Sequence, residues 1–153
     1  MTTPASASQL DVLRDLRASQ PDVRRAVLAV REWAMANGLA GPADALTVVV
    51  GTVAADEAAN VPAEQWSEER VLGFLWVDAL RWCRSNGVSP PSGMGRALRV
   101  WLEHQAAQGR LQPGPTGIDG LCRAISSCAS PAGKPKIVRA KSGAKRHPAG
   151  AAR

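Results

Sequence analysis

One run in this chain has the composition of a buried β-strand: residues Thr47 to Val53, in which every position but Gly51 is β-branched. A strand has to pair, and no other segment alternates apolar and polar residues between turn signals so as to offer it an edge. Elsewhere the apolar residues recur three and four apart. The run is therefore read as part of a helix, Ala43 to Ala59, restarting after Pro42, and the chain is confined to all-α folds.

The remaining helices follow from periodicity and end signals. Leu10, Leu13 and Leu16, with Arg17 beside them, form a first amphipathic helix with Ser8 as its N-cap and Asp11 in its first turn. A second runs from Asp22 to Asn37, turns Val23, Val27, Val30 and Trp33 inward, and stops at Gly38. Ser67, followed by Glu68 and Glu69, starts another that reaches Asn86-Gly87. Its apolar positions Val71, Leu72, Leu75, Trp76, Ala79, Leu80 and Cys83 cover most of the circumference, so it is expected to be the most buried helix, with Trp76 packed between Leu72, Leu80 and the next helix. That next helix, Gly93 to Gln108, turns Met94, Leu98, Trp101 and Leu102 inward. A last one carries Ile118, Leu121, Ile125 and Cys128. Gly51 and Gly73 are each about 1 kcal/mol less favourable than Ala inside a helix, which predicts close helix crossings at both.

Charge divides the chain in two. All the lysines (Lys134, Lys136, Lys141 and Lys145) fall within residues 130–153, together with Arg139, Arg146 and Arg153 and no acid, whereas the first 129 residues hold 12 Arg against 13 acids. The net charge of +6 is thus a property of the C-terminal segment. A one-sign block with little to bury reads as a disordered arm for an anionic partner, nucleic acid first, because each phosphate contact releases condensed counterions. The expected fold is a compact bundle of five or six helices with a disordered basic C-terminal tail: residues 1–7 a disordered N-terminus, 8–129 the helical domain, 130–153 the tail.

Other classes find little support. The longest uncharged apolar run, Ala45 to Ala55, is far short of the roughly 20 residues that span a bilayer, and Met1 to Gln9 lacks the pattern of a signal peptide, so a soluble cytoplasmic protein with no membrane partner is expected. Cys83, Cys122 and Cys128 read as reduced, buried thiols. With His104 and His147 isolated, neither a metal nor a cofactor is expected. His104 reads as a surface histidine. The acid pairs Asp56-Glu57 and Glu68-Glu69 point in different directions around their helices, and no nucleophile, base and orienting group assemble, so the chain does not read as an enzyme.

The most specific pattern is Leu80-Arg81-Trp82-Cys83-Arg84-Ser85-Asn86-Gly87-Val88-Ser89-Pro90, followed by Arg96-Ala97-Leu98 and Gly109-Arg110-Leu111. It resembles the helix-turn-helix of winged-helix repressors over Leu80 to Leu111. The resemblance implies a sharp turn at Gly87, a recognition helix presenting Arg96 and Arg99 to DNA, and a hairpin wing after Gly109. Trp82, beside Arg81 and Arg84, is the tryptophan placed to stack on a base, and Arg84 joins the contacts. With Lys134, Lys136, Arg139, Lys141, Lys145 and Arg146 of the arm, this predicts a small homo-oligomeric nucleic-acid-binding regulator, DNA before RNA. A self-assembling coat or nucleoprotein, whose arm neutralises packaged nucleic acid, and a helical adaptor for another protein are the competing readings.

Overall fold

The computed structural model describes residues 3–58, 65–114 and 116–129. They form an all-α bundle: α1 (Thr3–Ser19), α2 (Pro21–Ala36), α3 (Ala43–Ala58), α4 (Glu68–Gly73), a π-helical turn (Phe74–Asp78), α5 (Ala79–Ser85), α6 (Met94–Ala107) and α7 (Gly117–Ala129). The segments α4, π-turn and α5 are continuous, so the described residues form six helical rods. Helix α1 begins at Thr3, which puts Ser8 inside the helix rather than at its cap and leaves no irregular segment over residues 3–7. Ser67 caps α4 as expected, its hydroxyl accepting from the Arg70 amide at 3.1 Å.

The β-branched run is helical and occupies the centre. Residues 45–52 of α3 are all buried, and α3 packs against α1, α2, α5 and α6. It, not the Ser67 to Asn86 helix, is the most buried element. Apolar side chains on every side suit it to that place. Its two buried hydroxyls are satisfied within the helix, Thr47 Oγ1 donating to the Ala43 carbonyl and Thr52 Oγ1 to the Val48 carbonyl, each at 2.7 Å. Arg17 ties α1 to α3, its Nη1 donating to Asp44 at 3.1 Å and to Thr47 Oγ1 at 2.9 Å.

The π-turn decides which face of the α4–α5 rod is buried. The Ala79 amide reaches back five residues to the Phe74 carbonyl, and this wider turn carries the buried face from Val71 and Phe74 on to Ala79 and Cys83. Trp76 therefore points outward, 55% exposed, with Leu72 and Val77 exposed beside it, and Phe74 is fully buried. The expected burial of Trp76 is overturned because a strict 3.6-residue period ignores that extra residue. The two-residue strands β1 (Gln65–Trp66) and β2 (Gln112–Pro113) pair in parallel, so the segment after Gly109 runs beside the entry to α4 rather than folding into a hairpin wing.

Candidate nucleic-acid interface

Helix α5 ends as the resemblance implies. Gly87 adopts φ +67°, and the Val88 amide reaches the Cys83 carbonyl at 2.9 Å, the closing bond of a Schellman end. Beyond the turn, α6 packs chiefly on α7, α3 and α2, which makes it a central helix with a narrow outward stripe. Arg96 and Arg99 are both exposed on that stripe, while Leu98 is fully buried and Met94 and Trp101 half-buried.

The two arginines differ in what they touch. Arg99 Nε donates to Glu103 at 3.0 Å, and its guanidinium lies beside Cys122 of α7; the Glu103 hydrogen bond and charge raise its pKa. Arg96 has no ion-pair partner among the described residues. It faces Arg31 of α2 across a cleft of about 430 Å³ that is also lined by Met35 and Pro42. Arg31 in turn lines a second cleft, of about 360 Å³ between α1 and α2, with Arg14, Arg17 and Arg24. In the other direction, Arg96 and Pro42 line a third groove, of about 670 Å³, with Trp76 and Cys128.

Shared walls thus join three clefts into one track, along which Arg14, Arg17, Arg24, Arg31 and Arg96 succeed one another with no carboxylate among the lining residues. Arg24 and Arg31, like Arg96, lack an ion-pair partner among the described residues. Arg14 has only an exposed partner, Asp11, at 3.1 Å. Sequence reasoning missed all of these but Arg96, although Arg24 and Arg31 stand seven apart and so share one face of α2. A separate cleft is different: there Arg70 stacks at 4.7 Å on Trp66 and lies 3.9 Å from Asp56, with Glu57 and Arg110 completing a balanced set. Burial, then the neighbouring Asp78, raises the pKa of Asp56.

The other predicted site residues are scattered. Arg84 is exposed in the last turn of α5 and lines none of the track clefts. Trp82 is half-buried with its indole packed on Gly51, which removes it as an open stacking platform. Lys134, Lys136, Arg139, Lys141, Lys145 and Arg146 lie outside the described residues. Of the thiols, only Cys83 is fully buried, and burial raises its pKa; Cys122 and Cys128 are half-buried. His104 is not on the surface as expected. It is 7% exposed, edge-on to Trp33 at 5.6 Å. Among the described residues no helix is long and apolar enough to cross a membrane. Compared with protein-family models, characterised proteins and solved structures, the chain matches none.

Proposed function

We propose that this protein binds nucleic acid by its phosphate backbone, DNA before RNA, along the arginine track and with the basic arm as an extension of it. One observation carries the reading: a continuous succession of arginines along clefts with no carboxylate in their lining, of which Arg14 and Arg17 pair with Asp11 and Asp44 while Arg24, Arg31 and Arg96 have no counter-ion among the described residues. An unpaired guanidinium gives up no existing salt bridge when it meets a phosphate, and it can meet it with two parallel donors. The first turn of α6 adds to this, since its N-cap is Gly93, with no side chain to claim the amides beside Arg96. Cys128, next to the start of the seven-cation segment, lines the same track, so arm and body would act on one strand. Such contacts give affinity and register; base selection by α6 would rest on Arg96, with Arg99 held by Glu103.

The test is fluorescence anisotropy with labelled duplex DNA, single-stranded DNA and RNA over a salt series. The R24Q/R31Q/R96Q protein should bind more weakly and with a shallower dependence of log affinity on log salt, by about 0.9 for each duplex phosphate it no longer neutralises. Unchanged affinity and slope in the triple variant would remove the track from the binding surface.

A further inference from the structure

The groove at the end of the track is apolar where the rest of the track is basic. Leu75, Trp76, Leu80, Pro90, Pro91 and Met94 line it, and the neighbouring Leu72, Trp76 and Val77 are exposed. Apolar side chains left in water at such a groove gain free energy when another apolar segment covers them. Cys128, in the last turn of α7, also lines it, so the segment after residue 129 sets out beside the groove. Within residues 130–153, Ile137 and Val138 are the only side chains larger than alanine that are purely hydrocarbon and acyclic, and they stand side by side.

We propose that Ile137 and Val138 of the same chain occupy this groove, docking the arm against Trp76. The reach is sufficient, since the eight residues from 129 to 137 span up to about 26 Å when extended. The form is suited too. Pro131 and Pro135 cannot continue α7 and bias the residues before them toward extended backbone, which lowers the entropy lost when the segment lies along a groove walled by Pro90 and Pro91. A second copy of the chain could use the same surface, but the covalent connection at Cys128 gives the arm a far higher effective concentration there. Docking sets Lys136 and Arg139 on either side of the buried pair, near Arg96, so the track continues into the arm. Repulsion between these cations and Arg96 is screened by salt, so docking tightens as ionic strength rises, the reverse of nucleic-acid binding.

Hydroxyl-radical footprinting of the full chain, without nucleic acid and read by mass spectrometry, tests the docking. I137S/V138S keeps all seven cations of the arm. In it Trp76 and Met94 should oxidise several-fold faster than in the parent, with Trp33 unchanged as a report that the bundle persists. Equal Trp76 rates in the two proteins would overturn the proposal. Protection of Trp76 in the parent should survive dilution; protection that disappears on dilution would assign the groove to a second copy and overturn it as well. Because no nucleic acid is present, failure here leaves the arginine track untouched, and failure of the track leaves the docking intact.

Discussion

The indole of Trp82 lies over Gly51, so close that a methyl group placed on Gly51 would stand 2.5 Å from Cζ2 and 2.8 Å from Cε2 of the ring. The absent side chain lets α5 approach the central helix α3. Gly51→Ala should therefore destabilise by about 1 to 3 kcal/mol despite the better helix propensity of alanine. Combining it with Trp82→Leu should cost less than the sum of the two single changes, by about 1 kcal/mol or more, in urea unfolding. Additive effects would mean that Trp82 does not rest on Gly51.

Gly73 is the opposite case. Among the described residues nothing lies within 4 Å of a methyl group built there, and as the residue before the π-turn it has ordinary helical backbone, φ −61° and ψ −39°. Among the described residues, the close crossing predicted at this position is absent. Gly73→Ala should stabilise by about 0.5 to 1 kcal/mol through the loss of unfolded-state freedom. A lower urea midpoint would place an unseen neighbour at Gly73.

Phe74 and Trp76, two residues apart, exchange the roles that periodicity suggests. Phe74→Ala should cost about 3 to 5 kcal/mol, since its side chain is fully buried. Trp76→Ala should cost less than about 1 kcal/mol, its ring being 55% exposed. Chemical denaturation of both variants checks the order, and a larger destabilisation at Trp76 would place the buried face of the π-turn on the other side.

These residues mark the boundary of what was legible in sequence. Helix existence was readable because apolar spacing, Ser67 as a cap and Gly38 and Gly87 as stops all act locally, and the lone β-branched run had no partner. The buried face of the Ser67 to Asn86 helix was not, because apolar residues surround it and the wider turn at Phe74–Asp78, closed by the Ala79 amide on the Phe74 carbonyl, selects among them. The arginine track was hidden for a different reason. Arg24 and Arg31 look like any solvated helix face until α1 and α6 are brought alongside, whereas Arg96 was found through a local motif.

Arg96 and Arg99 separate the backbone track from a helix-turn-helix that uses both. Arg96→Ala should weaken duplex binding and flatten its salt dependence. Arg99→Ala should leave binding within about twofold, since its guanidinium is held by Glu103 at 3.0 Å; removing this i,i+4 pair should cost only about 0.3 to 0.5 kcal/mol of stability. An equal fall in sequence preference in the two variants would restore paired readout by α6.

His104 makes the bundle sensitive to acid. Burial, then the charge of Arg110, lowers its pKa from the ordinary value of 6.5, and Trp33 closes over its ring. The unfolded chain then binds the proton more readily than the folded one, so stability falls as pH drops through about 6.5 and levels off once the folded pKa is passed. The slope cannot exceed about 1.4 kcal/mol per pH unit for this single proton. Glu32 lines the same cleft and would partly offset the charge of Arg110. Melting temperatures from about pH 7.5 down to about pH 5.5 should therefore decline in the parent more steeply than in His104→Gln, whatever the variant's own starting stability. Parallel curves for the two proteins would show that His104 protonates equally well folded and unfolded, and that its burial against Trp33 is not maintained in solution.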